Sequence, residues 1–163
     1  MKKLTISSVV VSLVLLSFSL LAAQEKPWFD MENCAFCKNL AAEEGLMGHI
    51  TKWDHHNVDN GSVCISVVDK ECVEAYKRAM HNMEEVGKKL EQGEMLPMCG
   101  MCKAYGELLK MGAKWDEVES DNIFVSIMYS DKPVVVAAIH AVTNRTNDEI
   151  KKMEQMEEAE PKE

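Results

Sequence analysis

Two short stretches constrain this chain more than anything else in it: Cys34-Ala35-Phe36-Cys37-Lys38 and Cys99-Gly100-Met101-Cys102-Lys103. Cysteines three apart share one face of a helical turn, so their sulfurs can bond each other or grip one ion. A helix start favours thiolate at the first cysteine, and the adjoining lysine adds positive charge. Three chemistries stay open at Cys34, Cys37, Cys99 and Cys102. They are ligation of a soft transition metal such as Zn or Cu, thiol–disulfide exchange, and plain structural disulfides. A bridge within Cys-x-x-Cys closes a tiny loop and stabilises weakly. Four of six cysteines placed this way point to chemistry ahead of stapling.

The residues downstream of each motif are repeated as well. Both halves read Cys-x-x-Cys-Lys, a helix, Lys-Trp-Asp, a polar strand, a turn, an apolar alternation with a central serine, Asp-Lys, a helix and then a histidine. Cys34 matches Cys99, Trp53 matches Trp115, Val63 matches Ile123, Ser66 matches Ser126, Asp69 matches Asp131, and Met80-His81 matches Ile139-His140. The expectation is an internal duplication of an αββα unit, spanning 24–94 and 95–157, with a charged tail at 158–163. A unit of some 60 residues buries little apolar area alone, so the halves should pack as one pseudo-two-fold α+β domain. Helices would cover a four-stranded antiparallel sheet.

Local signals fill in the units. Asn33 is placed to cap a helix that starts at Cys34 and runs to about Gly45 or Gly48. Asn60-Gly61 marks a two-residue hairpin. After it, Val63, Ile65 and Val67 alternate with Cys64, Ser66 and Val68, as in a half-buried strand. Asp69 can cap a long helix carrying Val73, Tyr76, Met80, Met83 and Leu90. In the second half, Tyr105, Leu108 and Leu109 mark a helix ending near Gly112. Pro133 opens the next helix, and Thr146 with Glu149 reads as a capping box starting a last one.

Recurrence singles out His81 and His140, each of which could join two thiolates as a third ligand, giving a Cys2His set per unit. A surface histidine is the competing expectation for both. His55 and His56 are adjacent on a strand and face opposite ways; surface roles are expected. Cys64 and Cys72 occur only in the first half, and a bridge between them needs an irregular connection between strand and helix. Most of the twelve methionines read as packing, leaving Met95, Met98 and Met101 as thioether candidates beside the second motif.

Lys2 and Lys3, an apolar run over 4–21 and Ala22-Ala23 describe a signal peptide cut after Ala23. The expected destination is the periplasm or the extracellular space, with no membrane insertion after cleavage. The formal charge is −9, and losing Lys2 and Lys3 makes it −11, which disfavours nucleic acid. No catalytic Ser-His-Asp pattern, phosphate-binding glycine loop or HExxH occurs, so a non-enzymatic role is favoured. The expected partner is a metal ion or a thiol–disulfide partner protein.

The stretch from Cys99 to Lys103 resembles the active-site turn of the thioredoxins, which would imply dithiol redox chemistry. The resemblance covers five residues. That fold feeds the turn from an apolar strand, and neither 30–33 nor 92–98 supplies one. The triplet Cys99-Gly100-Met101 is similar to copper-delivery lipoproteins of the nitrous oxide reductase system, over three residues and without their lipid-attachment cysteine. Neither likeness assigns a family.

Overall fold

Two hairpins build the sheet. In the computed structural model, which describes residues 26–159, β1 (Ile50–Val58) and β2 (Gly61–Val68) join through Asp59-Asn60. β3 (Lys114–Ser120) and β4 (Ile123–Tyr129) join through Asp121-Asn122. Asp121 takes the left-handed φ of 49° that this second turn needs, a conformation short polar side chains tolerate. The expected glycine hairpin is offset by one residue, because Gly61 is the first residue of β2. Its backbone φ is not left-handed; it is needed because a Cβ there would run into the Met128 carbonyl of β4.

The sheet order is β1-β2-β4-β3, antiparallel throughout. The central seam pairs Val63 with Ile127, Cys64 with Ser126, and Ile65 with Val125. Counting from the two turns, Trp115 stands where Trp53 does, pairing Met128 as Trp53 pairs Ser66. By the same count Ser126 stands where Cys64 does. The serines Ser66 and Ser126, matched by sequence, are therefore two residues out of step.

Helices cover one face of the sheet. α1 (Lys38–Ala41) is a single turn, α2 (Val73–Glu91) and α3 (Gly100–Lys110) are longer, and α4 (Pro133–Ala159) is the longest. Two apolar clusters sit beneath them. Leu46, Val68, Tyr76 and Ala79 form one, with Phe124 packed against it. Leu108, Ala113, Met128, Val135 and Ile139 form the other. Among the described residues no helix is long and apolar enough to cross a membrane.

Several expectations change. The first helix does not reach Gly45: only one α-turn forms after Cys37, and a 3-10 turn at Leu46–His49 leads into β1. Asn33 does not cap it; the Asp30 carboxylate instead accepts from the backbone N–H groups of Glu32 and Asn33, at 3.2 and 2.8 Å. No new helix starts at Thr146. That hydroxyl is fully buried, donates back to the Val142 carbonyl at 2.9 Å and accepts from the Trp28 indole at 3.3 Å, so it serves mid-helix rather than as a cap. α4 also continues past 157 into the expected tail. The expected leader and its cut after Ala23 lie outside the described residues.

Candidate metal centre

The two Cys-x-x-Cys turns meet. The Sγ atoms of Cys34, Cys37, Cys99 and Cys102 all lie within 4.8 Å of one another. Cys37 is 3.7 Å from Cys99 and 3.6 Å from Cys102, sulfur to sulfur. Cys34 and Cys99 are each 1% exposed, Cys37 is buried and Cys102 is partly so. Met31, Phe36 and Met101 pack around them.

Backbone contacts explain why the turns are held together. The Ala35 N–H donates to the Pro97 carbonyl at 2.8 Å, stitching the first turn to the residues that lead into the second. At the start of α3 the first two N–H groups would otherwise lack partners. Gly100 and Met101 donate theirs to the carbonyls of Pro27 and Trp28, both at 3.0 Å. The next N–H, of Cys102, points at the Cys99 sulfur at 3.5 Å, as a thiolate at a helix start would use it. Gly100 permits this approach, since a Cβ there would meet Trp28 at 3.0 Å. Trp28 is fixed in turn by Thr146 and by the Arg145 guanidinium, 4.3 Å over its ring.

The thiols bias one another electrostatically. Hydrogen bonding from Cys102, then from Cys37 and Cys99, holds the Cys34 thiol far below its ordinary range. Cys99 is lowered to about 7, again chiefly by Cys102. Cys102 is pushed far up by its bonds to Cys34, Cys37 and Cys99 and by burial. The bias favours thiolate at the first cysteine of each motif, and a bound cation would let the remaining thiols ionise.

The donor set fits one ion. Four thiolates about a single Zn(II) at ≈ 2.3 Å form a tetrahedron with edges of about 3.8 Å, and the two sulfur separations from Cys37 match that edge. Among the described residues no histidine or carboxylate belongs to the group. His81 is exposed on α2, 3.9 Å from Glu84. His140 on α4 bonds the carbonyls of Val58 and Gly61 at 2.9 and 3.0 Å. The structure brings neither of them to the sulfurs. Met101 borders the site, whereas Met95 is almost fully exposed.

The remaining cysteines lie elsewhere. None of the six is disulfide-bonded. Cys64 sits on the helix-covered face with its sulfur 3.7 Å from His55 Nε2. His55, expected at the surface, is buried; burial holds its imidazole down at about 4 and pushes the Cys64 thiol up to about 11. This pair is neutral, the opposite of an activated thiolate–imidazolium. His56 faces the other way, exposed and 3.7 Å from Asp54. Cys72 immediately precedes α2 and is partly buried against the first cluster.

Compared with family models, with curated proteins and with solved structures, the chain finds no match. The site stands on its own geometry.

Proposed function

We propose that this is an exported, non-enzymatic protein in which Cys34, Cys37, Cys99 and Cys102 bind one soft transition-metal ion, with Zn(II) the best fit. The observation that carries the reading is the convergence of four sulfurs within 4.8 Å, from two motifs whose facing cysteines Cys37 and Cys99 are 62 residues apart. A four-sulfur tetrahedral set saturates the ion and leaves no open position, the pattern of structural rather than catalytic zinc. Copper remains within the chemistry of the donors, but nothing in the set lowers the coordination number below four. The ion then acts as a cross-link between the lead-in at 26–37 and the start of α3.

Thiol–disulfide exchange is the second reading, favoured by the lowered pKa of Cys99, about 7. Access argues against it. The attacking sulfur of a dithiol turn has to reach a partner, and both first cysteines are 1% exposed.

An internal duplication is the natural source of the composite site. Its support is the sheet order, in which each half contributes one hairpin, and the equal placement of Trp53 and Trp115 relative to their turns.

Elemental analysis of reduced protein beside a variant with all four cysteines changed to serine tests the proposal. One metal ion per chain, absent from the variant, is expected. Reduced wild-type protein that neither carries nor takes up Zn(II) or Cu(I) would overturn it.

A further inference from the structure

The sheet presents its sides the unusual way round. An antiparallel sheet with one covered face normally turns its apolar residues to the core and its polar residues to water. Here Ser62, Cys64, Ser66 and Ser126 share the helix-covered face with Phe124 and Met128. The other face carries Val63, Ile65 and Val67 on β2 and Ile123, Val125 and Ile127 on β4. Aromatic contacts between helix and sheet, Tyr76 on Phe124 and Tyr105 on Trp115, fall on the first face. The second face is continued at its edge by Val118, 56% exposed.

We propose that this face, on which Ile123 is 41% exposed and the other five aliphatic residues are half-buried, docks a second copy of the chain, sheet against sheet. Three observations choose that occupant. The first is symmetry. The six aliphatic residues form three alternate rungs of the ladder, Val63–Ile127, Ile65–Val125 and Val67–Ile123, neighbours on this face. A half-turn about an axis in the interface lays aliphatic rung on aliphatic rung, as an isologous contact requires.

The second is charge. The chain as a whole carries −9, so two copies repel in general. On the strands of this face the ionised groups balance: Lys52 and Asp54 at one edge, paired at 2.8 Å, and Lys114 and Asp116 at the other, where Lys114 also reaches Asp131 at 3.4 Å. It is a surface on which two such acidic chains can meet without opposing charge. A basic partner would find no acidic field there, and an acidic one no basic field.

The third is size. Four strands of about seven residues cover roughly 450 Å² in projection. Two copies then bury about 900 Å² before side-chain relief is counted, close to the ≈ 1,000 Å² at which specific interfaces begin. The dimer is accordingly expected to be weak, with a dissociation constant in the micromolar range.

Sedimentation velocity over a concentration series tests the proposal, using reduced, metal-loaded chain cut after Ala23, which removes no described residue. The weight-average mass should climb toward twice that of the chain. Ile65→Glu and Val125→Lys, both pointing away from the helices, should each hold it at one chain while leaving far-UV circular dichroism and melting of the dilute protein unchanged. A chain that stays monomeric at several hundred micromolar would overturn the proposal, whatever other partner the face then served. Association that persists in both variants would overturn it too. Should one variant misfold, the wild-type series and the other variant still decide.

Discussion

At the scale of single residues, the site depends on what is absent at position 100 as much as on the sulfurs. Gly100 lets the Pro27–Trp28 backbone lie on the start of α3. Gly100→Ala would gain about 0.5–1 kcal/mol of helix propensity but overpack against Trp28, typically at a cost of about 1–3 kcal/mol. The overpacking wins, so the variant should be less stable by about 1 kcal/mol and bind metal more weakly, read by urea unfolding and by competition with a chromophoric chelator. His55 makes a second residue-level case. Its proton binds near pH 4 in the folded protein against about 6.5 in the unfolded chain. The contribution is therefore complete above pH 6.5 and lost as pH falls toward 4, by up to about 3 kcal/mol. In metal-free reduced protein, the loss of stability between about pH 7 and pH 4 should shrink in His55→Gln. An unchanged loss would contradict that role for burial.

At the scale of elements, the strands, a helix after each Asp-Lys and the helix at the second motif are legible in the sequence, because alternation, helical periodicity and turn residues all act locally. The illegible parts come from contacts distant in sequence. Thr146 and Glu149 look like a cap, yet Trp28, 118 residues away, claims the Thr146 hydroxyl inside a continuous helix. The first cysteine turn reads as the head of a helix, but its register is set by Asp30 and Pro97. Nor does alternation say which set of a strand faces the helices; in β2 the serines do. That inversion makes a test. Met128 is 2% exposed in the core, and Met128→Ala should cost about 2–5 kcal/mol. Ile127→Ala, one residue along on the open face, should cost under about 1 kcal/mol in dilute protein. Gly61→Ala should be as damaging as Met128→Ala, because the Met128 carbonyl cannot yield without parting β2 from β4. Chemical denaturation of the three variants side by side ranks them.

At the scale of the whole molecule, the four-sulfur cluster is one of the places where the two halves meet outside the sheet, beside Trp28 on Thr146 and Tyr76 on Phe124. The sequence names all four sulfurs but leaves open whether the two turns meet, and offers His81 and His140 as possible third ligands. Spacing alone does not show that two turns 62 residues apart converge, and His81 and His140 recur in order without sharing an environment. A ligand bound only by the folded state stabilises it by about 2.7 kcal/mol at a hundredfold excess over its dissociation constant. For a chain of this size that corresponds to about 10 °C in melting temperature. Chelation under reducing conditions should lower the melting point by that order, and added Zn(II) should restore it. No drop on chelation would mean that the sulfurs hold nothing that matters to the fold.

The most direct measurement is a Co(II) titration of the reduced protein, followed by visible absorption, in wild type and in the His81→Ala and His140→Ala variants. A single centre built from Cys34, Cys37, Cys99 and Cys102 predicts the intense ligand-field bands of tetrahedral four-thiolate cobalt, saturating at one ion per chain and indifferent to both histidines. Saturation at two ions per chain, or a spectrum that changes when either histidine is removed, would contradict it.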